Sequence, residues 1–242
     1  MGLFDFFTKR KPIDLARLGT DVHSHLIPGI DDGAPTMNHS LGMVNRFVEL
    51  GYTKLITTPH VMSDYYQNTP EIIRNGLEEL KEEVKRAGLS IELEAAAEYY
   101  FDEMLFTKIE EGNILTFGNQ CVLFEFSFNQ EPIRVDELVF KLLAKGYTPV
   151  LAHFERYIYY HSIEPAVALR ERGVKIQMNL NSLAGHYGGA VQKQAQRLVE
   201  SGIVDLAGSD CHRIEHLEIL EKNLGKKHFH KLLDLDLMNY KL

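Results

Sequence analysis

Seven short apolar runs alternate with amphipathic helical patterns along this chain, and that alternation narrows its fold more than any other feature. The runs are Thr20–His23, Lys54–Thr58, Ile91–Ala97, Cys121–Phe126, Thr148–Ala152, Val174–Asn179 and Val204–Gly208. Between them the apolar residues recur at helical spacing. Over 38–50, Leu41, Val44, Phe47 and Val48 share one face. Over 70–87, Ile72, Ile73, Leu77, Leu80 and Val84 do so, with Glu78, Glu79, Glu82 and Glu83 opposite. The pattern repeats over 134–145, 163–172 and 190–201. Gly88, Gly146, Gly173 and Gly202 each follow a helical segment, where a left-handed residue ends the last turn. Each glycine precedes the next run by only a few residues. Strand–helix alternation with short connections predicts a parallel sheet covered by helices. Seven units without a break predict barrel-like closure rather than an open doubly wound sheet. No glycine-rich nucleotide loop follows any run. With no linker or composition shift, residues 1–242 read as one domain. Residues 1–18 form an N-terminal extension, the core spans about 19–222, and the tail from Lys222 makes a last helix on the outside.

Chemistry-bearing residues keep phase with these runs. Asp21-Val22-His23-Ser24-His25, Thr58-Pro59-His60, Ala97-Glu98, Phe124-Glu125, Ala152-His153 and Ser209-Asp210-Cys211-His212 all fall at run ends, and Asp32 follows on a loop. In a parallel barrel the strand ends converge on one face, where chemistry collects. His23 and His25 are two apart, as are Asp210 and His212, so alternation turns both members of each pair inward and Ser24 and Cys211 away. Glu98 and Glu125 sit in AAAEYY and LFEFSF. An unpaired carboxylate there is costly to bury, so a cation is its natural partner. Imidazole and carboxylate without thiolate suit Mn, Fe or Zn with positions open to water and substrate. The residues therefore predict a metal-dependent hydrolase.

Bulk properties exclude other classes. Lys and Arg number 26 against 34 Asp and Glu, a formal charge of −8, and no basic cluster suits a nucleic-acid backbone. Two cysteines, Cys121 and Cys211, make no disulfide framework, which predicts a reducing cytoplasm. No apolar run reaches the ~20 residues that span a bilayer. The opening MGLFDFFTKRK is too short in its apolar part for a signal peptide, and Phe6 breaks the myristoylation pattern. It reads as a frayed or docked terminal turn. A cysteine-based phosphatase loop needs arginine six positions after the thiol, but Ser127 and Leu217 occupy those positions.

Four stretches, DVHSHLIPGIDDGA at 21–34, ITTPH at 56–60, LAHFERY at 151–157 and GSDCH at 208–212, carry a family resemblance. The chain resembles the polymerase and histidinol phosphatase superfamily of metal hydrolases. IPGIDDG and HFERY point to its bacterial protein-tyrosine phosphatase branch, associated with capsule and exopolysaccharide synthesis. The resemblance implies an α/β fold, a distorted (β/α)7 TIM-like barrel, with three metal ions, most commonly Mn2+, at the C-terminal ends of the strands. By the same resemblance, His23, His25, Glu98 and Asp210 hold the first ion. Glu98 bridges to a second held also by Glu125 and His153, and Asp32, His60 and His212 hold the third. Arg156 contacts the substrate phosphate. Members carry a further arginine several residues beyond the last motif. Here Leu217 lies near that place, with Arg213 and His216 the nearest candidates.

The implied activity is hydrolysis of phosphotyrosine in proteins by a metal-activated water. The implied substrate is the tyrosine-rich C-terminal tail of a bacterial tyrosine kinase, with no nucleic acid and no stable membrane insertion. Histidinol phosphate or another small phosphate monoester is the alternative substrate. His212 or His60 is the candidate general acid. Tyr65, Tyr66, Tyr99 and Tyr100 are candidate aromatic neighbours of the site, and Asn179 and Asn181 candidate donors to the ligands. His39, His161, His186, His228 and His230 read as surface or helix residues.

Overall fold

The computed structural model describes residues 11–242; the reading of the first ten residues lies outside them. All named strands pair in parallel. They are β1 (Thr20–Asp21), β2 (Lys54–Thr57), β3 (His60–Val61), β4 (Glu92–Ala95), β5 (Glu98–Tyr100), β6 (Cys121–Glu125), β7 (Thr148–Leu151), β8 (Lys175–Asn179) and β9 (Leu206–Gly208). They form two pieces, ordered β1-β2-β4 and β3-β5-β6-β7-β8-β9.

The second and third runs of the sequence each divide in two. Thr58-Pro59 separates β2 from β3, and proline has no N–H for a ladder. Ala96-Ala97 separates β4 from β5. The breaks are still bridged, since Ala96 N donates to Thr57 O at 2.9 Å and Glu98 N to Pro59 O at 3.1 Å. The ends of the curled sheet also meet. Ser24 bridges Cys211 in parallel, Asp210 N donates to His23 O, and His25 N donates to Cys211 O. The buried Asp21 carboxyl accepts from Ser209 N at 2.7 Å and Ser209 Oγ at 3.0 Å, tying the first strand to the last.

The helices are α1 (Met37–Glu49), α2 (Pro70–Arg86), α3 (Glu103–Glu111), α4 (Val135–Ala144), α5 (Glu164–Glu171), α6 (Leu180–Ala184), α7 (Gly189–Glu200), α8 (Ile214–Asn223) and α9 (Lys227–Leu233). In α2 the Thr69 hydroxyl accepts from Ile72 N, Pro70 opens the first turn, and Ile73, Leu77, Leu80 and Val84 are buried. Ile72, read as part of that face, is exposed instead, and in α1 Met43 rather than Val48 completes the buried stripe. Gly88, Gly146, Gly173 and Gly202 all have φ between 68 and 95°. Strand alternation separates two apolar layers. Cys121 and Leu123 of β6 join Val22, Ile56, Val150 and Leu206 inside the curl, while Val122 and Phe124 face the helices. Glu125 continues the inward face of Leu123 and reaches the site.

The termini differ from the simple expectation of an outer tail. After α9 the chain turns under the sheet. Met238 N donates to Asp205 O, and the buried Asn239 amide bonds Ala207 N, Ala207 O and Thr20 O. Leu15 and Leu18, in the N-terminal extension, are buried in the core. Among the described residues no helix is long and apolar enough to cross a membrane.

Candidate metal centre

The nine ligand-type side chains read from the sequence lie together beyond one end of the sheet. Glu125 is the last residue of β6, Glu98 and His60 open the second halves of broken strands, and the others follow β1, β7 and β9. Two of them leave their strands through the left-handed region, His153 at φ 34° and Asp210 at φ 52°. Non-glycine residues rarely adopt that conformation, and it turns each side chain back over the strand ends. Glycines make room. A Cβ on Gly208 would lie 2.6 Å from His23 Cβ, and one on Gly33 would overlap His25.

Glu98 occupies the centre. Its Oε2 lies 3.1 Å from His23 Nε2, 3.1 Å from His60 Nδ1 and 3.6 Å from His25 Nε2, and its Oε1 lies 3.0 Å from His153 Nε2. Asp210 Oδ1 is 3.6 Å from both His23 Nε2 and His25 Nε2. Glu125 approaches His60 and His153 at 3.3 and 3.6 Å, and Asp32 approaches His60 and His212, each at 3.4 Å. These atoms fall into four overlapping groups of metal-ligand type: His25–Asp32–His60–His212, His23–Glu98–His153, His23–His25–Asp210 and His60–Glu98–Glu125.

The donor set fits divalent cations. His23 Nε2, His25 Nε2, His60 Nδ1 and Glu98 Oε2 are buried, face one another, and have no hydrogen-bond partner. Leaving such atoms unpaired is costly, and a shared cation satisfies them together. The opposite edges of the rings are held. His23 Nδ1 meets Gln177 Oε1 at 3.1 Å and His25 Nδ1 meets Asp31 Oδ2 at 2.8 Å. In the neutral imidazole those acceptors place the proton on Nδ1, which leaves the Nε2 lone pair for a cation. Asp31 also accepts from Gly33 N and His60 N. Gln177 Oε1 also accepts from His153 N at 2.8 Å, and its amide nitrogen donates to Asn179. Asn179 in turn donates to Asp210 Oδ2 at 2.6 Å. Asp31 and Gln177 were not singled out from the sequence. The doubled aspartate of IDDG and a second amide two residues before Asn179 in the run of β8 were their only signals.

The electrostatics follow from this crowding. Burial alone would lower the His23 and His60 pKa values, but the carboxylates around them raise these to about 9 and about 10. Burial opposes ionisation of Glu98 and Asp210, yet the facing imidazoles hold both carboxyls well below their ordinary range. Asp31 is likewise held at about 2, because His25 and His60 outweigh its burial. A concentration of ionised carboxylates is what a cation cluster requires.

A cavity of about 430 Å³ opens onto the cluster, with Glu98, His60, Tyr66, Phe128, Arg156 and His212 among its walls. Arg156 closes a short 3-10 turn, Phe154–Arg156, directly after His153. Its guanidinium donates to Asp210 Oδ2 at 3.1 Å. The turn is anchored from below, since the buried Glu155 carboxylate accepts from Asn179 N and Ser182 Oγ. Tyr66 stacks on His60 at 5.7 Å, and Tyr65 is exposed at the mouth.

Several sequence readings need correction or refinement. Tyr99 is buried, and its hydroxyl accepts from Leu115 N, so it does not line the cavity. His186, read as a surface residue, lines it. Leu217 is fully buried in the core, whereas Arg213 and His216 both reach the cavity wall. Asn179 bonds a ligand carboxylate, but Asn181 donates to His216 O instead. His39 pairs with Thr36 and His228 with Glu200, both away from the cluster. Cys211 points into the core, 3.6 Å from Met43 Sδ, and burial pushes its thiol well above the ordinary range. Cys121 is buried too, and its thiol is pushed up to about 11.

A curled parallel sheet with imidazoles and carboxylates gathered beyond its strand ends defines a class, the metal-hydrolase type of α/β protein. The chain belongs to the family described as capsular polysaccharide synthesis, CpsB/CapC, whose pattern matches residues 19–233. Tyrosine-protein phosphatase YwqE of Bacillus subtilis is 28% identical over 224 residues, covering 86% of this chain and 85% of YwqE. A solved structure from work on YwqE and Streptococcus pneumoniae CpsB, described as unique metal-dependent tyrosine phosphatases, superposes with a TM-score of 0.79. It is 26% identical and covers 92% of this chain and 94% of that one. The phosphotriesterase homology protein of Escherichia coli shares the fold more distantly, at a TM-score of 0.53 and 14% identity, covering 89% and 91% of the two chains.

Proposed function

We propose that this chain is a metal-dependent phosphatase that hydrolyses phosphotyrosine in proteins. One observation carries the reading: buried, unpartnered ligand atoms and the Arg156 guanidinium converge on the same cavity. The names of its relatives, tyrosine-protein phosphatases, support the substrate class. In this reading the curled sheet is a seven-stranded barrel, each broken run counting as one strand, and residues 1–242 form one domain. His23, His25, Glu98 and Asp210 hold one ion, Glu98, Glu125 and His153 a second, and Asp32, His60 and His212 a third. Manganese suits this nitrogen and oxygen set, with iron and zinc as alternatives. When bound, such ions lower the pKa of water from ~15.7 toward neutral and offset the charge of a phosphate dianion.

The chain's own residues supply the rest. Arg156 is placed to donate charge-assisted hydrogen bonds to the phosphate oxygens. On the cavity wall, His60 or His212 would hold a proton for the leaving oxygen only where it is not committed to the third ion, and a phenolate needs little such help. A phenyl phosphate arm reaches a recessed cluster, whereas a phosphoserine phosphate stays near its backbone. The substrate is then a tyrosine-bearing tail of a bacterial tyrosine kinase of capsule or exopolysaccharide regulation, acting in the cytoplasm. Arg156→Ala tests the assignment. It keeps bound metal but lowers kcat/KM by about 2–4 kcal/mol of transition-state stabilisation. Unchanged kinetics would assign the phosphate contact to another group, such as Arg213.

A further inference from the structure

Arg156 is more tightly held than its exposure at a cavity mouth requires. The Phe128 ring lies over its guanidinium at 4.2 Å and the Tyr187 ring at 4.5 Å. Phe128 follows β6, whereas Tyr187 lies between α6 and α7 on a loop bracketed by left-handed Gly185 and Gly188. Two distant segments thus bring an aromatic ring to one cation. Phe128 also stacks near Tyr157 and packs beside His153, which fixes its plane. It remains 39% exposed, so its contact with Arg156 is not a by-product of core packing. The Tyr187 hydroxyl approaches Asp210 Oδ2 at 3.4 Å, the oxygen that Arg156 and Asn179 also contact. This arrangement leaves Asp210 Oδ1 facing the histidines.

We propose that Phe128 and Tyr187 are positioning residues that clamp Arg156 for phosphate. The inference rests on the phosphatase reading and adds the residues that preorganise its anion contact. An arginine on a flexible stem loses rotamer freedom when it binds an anion. Two ring faces impose that restriction beforehand and strengthen the cation's placement in a partly desolvated site. Neither ring touches the reacting atoms.

The test is a double-mutant cycle on metal-loaded full-length protein. Phe128→Leu and Tyr187→Leu are each made in wild-type and Arg156→Ala backgrounds. The readouts are kcat/KM for p-nitrophenyl phosphate, calorimetric affinity for inorganic phosphate, and metal content. In the wild-type background each leucine lowers phosphate affinity and kcat/KM about tenfold, with metal content unchanged. In the Arg156→Ala background the same substitutions add no further loss. Phe128→Trp and Tyr187→Phe, which keep a ring, retain at least half of wild-type affinity. Equal losses in both backgrounds, or no loss of phosphate affinity from either leucine, overturn the proposal. If wild-type protein hydrolyses no phosphate ester, the phosphatase reading falls, and the phosphate-affinity cycle still decides whether the rings act through Arg156.

Discussion

Replacing Gln177 by leucine removes one oxygen that serves two candidate ligands at once. Gln177 is fully buried, and its Oε1 accepts from His153 N at 2.8 Å and meets His23 Nδ1 at 3.1 Å. Leucine has similar volume, so packing changes little. Each buried donor left unpaired costs about 1–3 kcal/mol. The His153 N–H is fixed in the backbone and cannot find another partner, so that cost falls on folding stability. His23 regains a partner only by turning its ring or moving its proton, and either change takes Nε2 out of the cluster. That cost falls on metal binding, where losing such an orienting partner typically weakens affinity by about 10- to 100-fold. The assay is calorimetric titration of chelator-stripped protein with Mn2+, with thermal unfolding recorded with and without metal. Gln177→Leu is expected to show both a lower melting temperature and the weaker affinity. Gln177→Glu keeps an oxygen for both donors but loses the amide donor to Asn179, so it is expected to bind metal more tightly than Gln177→Leu. A folded Gln177→Leu protein that binds Mn2+ like wild type would refute the orienting role of β8.

Other outcomes follow from the same geometry. Glu98→Ala and Asp210→Ala should lose most bound metal and activity, measured by elemental analysis and aryl-phosphate turnover, because each faces several histidines. Cys211→Ser should keep both, since the thiol packs on Met43 away from the cavity; loss of activity with metal retained would revive a thiol mechanism. Gly33→Ala should lower metal affinity without touching any ligand chemically, because the added methyl overlaps His25; titration of stripped protein with Mn2+ reads this directly.

The strand-end ligands were legible because a strand alternates with period two and a parallel sheet brings its ends together. His23, Glu125 and Asp210 could be placed by counting along the chain. Their supports could not. Gln177 matters because β8 passes beside His23 and His153, residues 154 and 24 positions away in sequence. Asp31 and Asp32 are chemically identical neighbours, yet one holds the His25 ring and the His60 backbone N–H from behind while the other faces the His60 and His212 rings. Only the loop's path separates those roles. Tyr99 was misplaced for a similar reason. The side of a strand or loop that a residue takes just beyond a β-break is set by the break, and the breaks at Pro59 and Ala96-Ala97 were not visible as such. The extra turn of α6 was hidden because its five residues are too few to show a helical period.

The central claim is that the buried imidazole–carboxylate cluster holds the metal on which phosphate hydrolysis depends. The most direct measurement takes one preparation, purified without chelator, and determines metal content together with hydrolysis of a phosphotyrosine peptide, before and after chelation. The expected result is about two to three divalent ions per chain, activity that disappears with the metal, and recovery on adding Mn2+. Full activity in metal-free protein would contradict the account.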